Sequence, residues 1–256
     1  MPHALFVFAH QDDEIATATR ILHLLRTGWT VSCVFLTDGE GRNAKSALRD
    51  EESRKVLARL GVDLNRVHFP GSRERVPDGR LFEHLDRALA LLEGAAPETP
   101  DEVWTIAYEG GHQDHDAAHL ISVAYASARG VPCFEMPLYH GYKLPGPFFN
   151  TLAPLGKRSE WVGRKIALSE GFRIALLSRF YASQRKTWLG LLPEALLRLA
   201  LGRREWTRPA ELAKLHEKPH DGKLFYERRF GVTWEEFATK ARPFVGAIRP
   251  PRAGRR

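Results

Sequence analysis

The amino-acid sequence predicts an α/β fold: a Rossmann-like, mainly parallel sheet with helices on both faces, followed by a basic extension that is helical or irregular. Three observations carry this. Short apolar runs alternate with helical patterns from residue 4 to residue 138, and such alternation builds parallel sheets through crossover helices. The runs are almost wholly apolar, as strands buried on both faces require. Past residue 140 the alternation fades, while arginine and lysine accumulate.

Residues 4–9 (ALFVFA) read as the first strand. Residues 14–27 read as a helix: Ile15, Ala18, Ile21, Leu22 and Leu25 share one face, and Gly28 ends it. Residues 30–37 (TVSCVFLT) are a second β-rich run, and Asp38-Gly39-Glu40-Gly41 is a loop. A helix over 45–60 closes at Gly61, and Val67-His68-Phe69 is a brief third strand before Pro70-Gly71. Residues 80–94 form another helix, 102–107 (EVWTIA) a fourth strand, 114–128 a helix opened by Asp114, and 131–138 a fifth strand. Proline and glycine punctuate 141–156, helical patterns return over 160–202, and 203–256 are mixed. The expected organisation is an α/β body over 1–140, an extension over 141–249 packed on it within the same domain, and a disordered Pro/Arg-rich tail over 250–256.

The 256 residues carry a net charge of +7, and the charge is unevenly spread. Residues 1–128 hold 13 basic and 20 acidic side chains, a net of −7; residues 129–256 hold 25 and 11, a net of +14. Such asymmetry points to an anionic partner or a basic tail, not to a fold. At 43% hydrophobic and 27% charged, the composition excludes wholesale disorder. Cys33 and Cys133 lie far apart in apolar runs, with no CxxC, which excludes a disulfide framework and a cysteine-rich zinc knuckle. No run of 18 apolar residues predicts a transmembrane helix. The apolar start HALFVFA lacks a basic flank and does not read as a signal peptide. A cytoplasmic protein is the expectation.

Two polar clusters fall where α/β sheets gather their sites, after the first and fourth strands. The first is His10-Gln11-Asp12-Asp13-Glu14. Adjacent carboxylates repel unless a cation or donors face them, and with His10 they make an N/O set suited to Zn²⁺ or a similar divalent ion. The plainer alternative is a helix start, with Asp12 or Asp13 as N-cap and Glu14 favoured by the dipole. The second cluster is Gly110-Gly111-His112-Gln113-Asp114-His115. Paired glycines allow a tight turn, and His112 and His115, three apart, can face one pocket. His119, one turn on, reads as a partly buried helix residue. Together the clusters supply about three ligands, a spare carboxylate to take a proton from water and a spare imidazole to steady an oxyanion.

At these residues the sequence resembles the PIG-L/LmbE family of zinc-dependent N-acetylglucosaminyl deacetylases. The family signature, AHPDDE with a later HPDH or HxDH, reads here as AHQDDE (9–14) and HQDH (112–115). Weaker matches are Leu36-Thr37-Asp38-Gly39, Arg49-Asp50-Glu51-Glu52, Leu60-Gly61-Val62 and Pro77-Asp78-Gly79-Arg80-Leu81. The resemblance covers residues 3–138 and implies one Zn²⁺ per chain, or another divalent metal, held by His10, Asp13 and His115. It also implies Asp12 as general base, His112 polarising the amide carbonyl, Asp114 orienting a neighbouring histidine, and Arg49 and Asp78 on the sugar. Gln11 replaces the family proline and adds an amide able to bond a ligand or a neighbour.

The implied reaction removes the N-acetyl group of an N-acetylglucosamine-type sugar in a small molecule or glycoconjugate, whether phosphate- or lipid-linked or a natural-product or thiol precursor. The basic half suits an anionic substrate or a peripheral membrane contact through 170–202. Lys218–Lys223 reads either as an ordinary Pro/Gly turn or as a loop that folds over the pocket and brings His220 to the substrate, and Glu109 is a candidate for the rim. Two competitors are weaker. A nucleotide-binding oxidoreductase would need a glycine-rich turn where the first strand instead meets two carboxylates. A non-catalytic module for nucleic acid or membrane rests on basic charge alone, and no zinc finger, homeodomain or RNA-binding motif is present, so no nucleic-acid partner is expected.

Overall fold

The computed structural model describes residues 1–40, 45–202 and 204–248; the expected tail over 250–256 lies outside them. The elements run β1 (His3–Phe8), α1 (Glu14–Arg26), β2 (Thr30–Phe35), α2 (Ser46–Leu60), β3 (Val67–His68), α3 (Pro70–Arg73), α4 (Leu85–Ala95), β4 (Glu102–Ile106), α5 (Gln113–Arg129) and β5 (Cys133–Met136). They continue with β6 (Tyr139–His140), β7 (Asn150–Thr151), β8 (Val162–Lys165), α6 (Leu168–Leu177), α7 (Arg185–Gly202), β9 (Arg204–Pro209), α8 (Phe225–Arg229) and α9 (Trp234–Ala247). Seven strands form one sheet in the order β3-β2-β1-β4-β5-β9-β8. The first five are parallel, and β9 and β8 join antiparallel.

Side-chain alternation in β1 divides the core in two. Leu5 and Val7 face one cluster with Ala88 and Leu92 of α4, Leu120 and Ile121 of α5, and Phe237 of α9. Ala4, Phe6 and Phe8 face the other, with Ile21 of α1, Val56 of α2, Ile174 of α6 and Trp188 of α7. The five β1 side chains from Ala4 to Phe8 are fully buried, so both faces of the strand are covered, as its unbroken apolar run requires. Burying one Phe or Leu contributes roughly 1.5–3 kcal/mol. Helices α1, α2 and α4 start and stop within a few residues of the sequence reading, and Gly61 and Gly130 end α2 and α5 in the left-handed conformation.

The extension departs from its sequence reading. It is not only helical or irregular: β8 and β9 carry the sheet two strands further. Their faces hide the apolar alternation behind charge pairs. Arg164 of β8 grips Glu205 of β9 through Nε at 3.0 Å and Nη2 at 2.8 Å, and Glu205 also pairs with Arg20 of α1. The helical pattern over 160–202 resolves into β8, α6 and α7. Helices α6 and α7 do cover one face of the sheet, and α9 covers the other, so the extension shares both cores with the body.

Candidate metal centre and catalytic pocket

The strand order reverses direction at β1, whose neighbours are β2 and β4. The chain leaving β1 turns into α1 on one face, and the chain leaving β4 turns into α5 on the other. A crevice opens at that switch point, and both polar clusters line it. The turn after β4 depends on small residues. Gly110 has φ of +70°, and a Cβ on Gly111 would sit 2.0 Å from the Tyr139 carbonyl oxygen. Asp116 of α5 holds the turn by accepting the N–H groups of Glu109 at 3.1 Å and Gly110 at 3.2 Å.

Three side chains converge in the crevice. His115 Nε2 lies 3.0 Å from Asp13 Oδ1 and 3.2 Å from His10 Nδ1, and His10 Nδ1 lies 3.8 Å from Asp13 Oδ2. Asp13 Oδ2 accepts the N–H groups of Ala9 at 3.1 Å and His10 at 2.9 Å. Burial alone would raise the Asp13 pKa, but His115, His10 and that backbone N–H outweigh it and hold the carboxyl well below its usual range. Behind this group, His10 Nε2 meets Asp78 Oδ1 and Asp114 Oδ2, each at 3.1 Å. Asp114 is itself fixed, accepting the N–H of Leu81 at 2.9 Å and that of Gly79. Two carboxylates on Nε2 fix the ring with Nδ1 toward Asp13 and His115, so that in the neutral ring the proton sits on Nε2 and Nδ1 has the orientation a metal ligand needs.

The donor set fits a divalent ion. Two ring nitrogens face each other beside a carboxylate, with every ligand at least 94% buried. Among the described residues a second group, His10, His112 and Asp114, also has the spacing for a metal. There, however, Asp114 is already engaged by two backbone N–H groups and by the far side of His10.

Asp12 and His112 flank the same space. Asp12 has φ of 116°, and Arg49 Nη2 lies 3.3 Å from its Oδ1. Burial, opposed by Arg49, pushes the Asp12 pKa up to about 8. His112 is the N-cap of α5, and its Nδ1 accepts the Asp114 N–H at 3.1 Å. That bond assigns the proton to Nε2. Burial, with His10 and His115 nearby, lowers the His112 pKa well below its ordinary value and keeps the ring neutral. These residues, with Arg49 and Asp78, line a cavity of about 170 Å³.

Three residues expected at the substrate lie elsewhere. Gln11 is fully buried and points away from the cavity: its Nε2 donates to Asp50 at 2.6 Å and Ser72 at 3.0 Å. Glu109 is not on the rim. It is 1% exposed, and its Oε1 accepts the N–H groups of Leu138 and Tyr139, both at 2.7 Å. His220 packs on Tyr142, with centroids 5.0 Å apart, outside the cavity lining. The neighbouring α8 reaches the site instead: Phe225 N–H bonds the Gly110 carbonyl at 2.9 Å, and Phe230 sets its ring against His112 at 4.5 Å. Phe230 and Trp188 line the cavity, and sequence reasoning missed both. The only signal was aromatic residues set among the cations of the extension. His119 is a helix residue of the core, bonded to the Ile106 carbonyl at 2.9 Å.

The family model described as PIG-L, GlcNAc-PI de-N-acetylase, matches residues 5–126, from β1 to within α5. Residues 5–126 form a PIG-L domain. The domain contains both clusters, while α6 to α9 lie beyond it. Solved structures extend the likeness across the extension. A deacetylase of teicoplanin biosynthesis is 16% identical, with TM-score 0.59, covering 81% of this chain and 97% of its own. The A40926 pseudoaglycone deacetylase is 19% identical, with TM-score 0.57, covering 80% and 96%. The N,N'-diacetylchitobiose deacetylase of Pyrococcus horikoshii is 18% identical, with TM-score 0.54, covering 81% and 83%. At these identities the likeness shows the fold. No curated protein matches the chain.

Proposed function

We propose that the protein is a zinc-dependent N-deacetylase that removes the acetyl group of an N-acetylglucosamine-type sugar in a glycoconjugate. The observation that carries this reading is the convergence of His10, Asp13 and His115 beside Asp12 and His112, within a PIG-L domain. His10 Nδ1, His115 Nε2 and the Asp13 carboxylate would hold the ion. A bound divalent ion acidifies water and polarises a carbonyl.

The chain's own groups supply the rest. Asp12, at the cavity wall beside Arg49, takes a proton from the attacking water. Neutral His112 offers Nε2–H to the oxygen that gains charge as the carbonyl becomes tetrahedral. Asp12 then returns its proton to the amine nitrogen as the C–N bond breaks, leaving acetate and the free amino sugar. Arg49 and Asp78 sit at the cavity wall with groups suited to sugar hydroxyls. Trp188 and Phe230 supply aromatic surface there.

The substrate belongs to the same proposal: a small-molecule or glycolipid amino sugar, with phosphate or lipid attached, acted on in the cytoplasm or at a membrane surface. Among the described residues no helix is long and apolar enough to cross a membrane.

The test joins metal analysis to turnover. Wild type, Asp13→Ala and His115→Ala are purified, bound zinc is measured, and amine release is followed on neutral and phosphorylated N-acetylglucosaminides. Both variants should lose zinc and activity. Full zinc retention in both overturns the ligand assignment, and a zinc-loaded wild type that releases no amine overturns the activity.

A further inference from the structure

We propose that Tyr181, in the extension, is a positioning residue for Asp12 and acts through Glu14. The proposal rests on Asp12 serving as the base. Asp12 holds a φ of 116°, a backbone conformation that residues with a side chain rarely adopt. Such a peptide persists only where its surroundings hold it.

The Ile15 N–H bonds the Asp12 carbonyl oxygen at 3.2 Å as α1 begins, and two further attachments hold the peptide before Asp12. On one side Arg49 Nη2 donates to the Gln11 carbonyl oxygen and approaches Asp12 Oδ1 at 3.3 Å. On the other, the Asp12 N–H donates to Glu14 Oε2 at 2.9 Å. Glu14 is fully buried, and its second oxygen accepts the hydroxyl of Tyr181 in a short hydrogen bond. A carboxylate anchored at one oxygen cannot swing freely. The Tyr181 hydroxyl thereby keeps Glu14 Oε2 on the Asp12 amide.

The segment that carries Tyr181 is fastened independently. Ser183 donates its N–H to Glu52 of α2 at 3.0 Å and its hydroxyl to the other oxygen of the same carboxylate. The Tyr181 ring, 1% exposed, stacks on Trp188 with centroids 6.1 Å apart and planes at 27°. Trp188 lines the catalytic cavity. One short stretch of the extension therefore reaches the cavity wall directly and the peptide of the base through Glu14. A phenylalanine would fill the same space at position 181. What the hydroxyl adds is its hydrogen bond to Glu14, with Ser53 beside both groups.

The variants are Tyr181→Phe, Glu14→Ala and Glu14→Gln. Glutamine accepts the Asp12 N–H with its oxygen and donates its amide to the tyrosine oxygen, so both contacts survive. Each zinc-loaded variant is compared with wild type for bound metal, kcat and KM on an N-acetylglucosaminide, and hydrogen exchange of the Asp12 amide. Tyr181→Phe and Glu14→Ala should keep metal and KM, exchange the Asp12 amide faster, and lose about tenfold or more in kcat. Glu14→Gln should stay within about twofold of wild type. Unchanged exchange or unchanged kcat in Tyr181→Phe overturns the proposal, as does a metal loss that accounts for the fall. If wild type releases no amine, the deacetylase reading fails, while the exchange arm still decides whether Tyr181 holds the Asp12 peptide.

Discussion

Asp114 braces His10 from behind: its Oδ2 lies 3.1 Å from His10 Nε2, the nitrogen opposite the one facing Asp13 and His115. The carboxylate is fully buried and is held by the N–H groups of Gly79 and Leu81. It acts on the ring, not on a substrate.

Asp114→Asn therefore weakens metal binding without removing a ligand. In either orientation the amide sets its NH2 against a backbone N–H, of Gly79 or of Leu81, and it carries no charge, so the ring keeps Asp78 but loses one of its two carboxylate partners. Zinc affinity, measured by competition with a chelator, should fall about 10–100-fold. Unchanged affinity would show that Asp114 does not set the ring.

Asp12→Asn separates base from ligand. Asparagine keeps the shape beside Arg49 but cannot take a proton. Turnover should fall about 10²–10⁴-fold, while zinc content matches wild type. Amine release at the wild-type rate would remove Asp12 from the reaction.

Gln11→Ala tests a side chain that turned away from the cavity. It leaves Asp50 and Ser72 without their buried partner. Urea unfolding should show a loss of about 1–2 kcal/mol, with KM unchanged. A KM shift without a stability loss would place the amide on the substrate after all.

Glu205 ties the added strands to the body through Arg164 and Arg20. Burial raises its pKa, but the two arginines with Thr19 outweigh that and lower it from 4.5. A lowered carboxyl stabilises the fold above 4.5 and loses that contribution as pH falls through the lowered value. Glu205→Gln should cost about 3 kcal/mol at neutral pH. Its melting temperature should also depend less steeply on acid. Equal acid slopes in variant and wild type would contradict this.

The body was legible because its signals are local. Runs such as ALFVFA can be covered only on both faces, and Gly61 and Gly130 mark helix ends by their backbone freedom. The two motifs gave the residues that converge, because strand ends in a parallel sheet share one edge. Side-chain direction was not legible. Whether Gln11 faces the cavity or Asp50 depends on how the chain leaves β1, and whether Glu109 meets solvent depends on the strand β6 that arrives 30 residues later. Strands β8 and β9 were hidden because Arg164 and Glu205 satisfy each other only across the pair. Trp188 and Phe230 reach the cavity by tertiary packing that no short window records.

His10 and His115 stand 105 positions apart in the chain and 3.2 Å apart in space. No early fragment of the chain contains both. During synthesis the proposed centre would complete only after β4 has docked beside β1 and α5 has begun, so an ion arriving sooner would find two of its three ligands. An ion held there would clasp the end of β1 to the start of α5 across the chain between them. An ion at about a thousand times its dissociation constant would add roughly 4 kcal/mol to the folded state. Resistance to unfolding would then track the supply of metal, so a chelator should loosen the two halves of the sheet before any substrate is present.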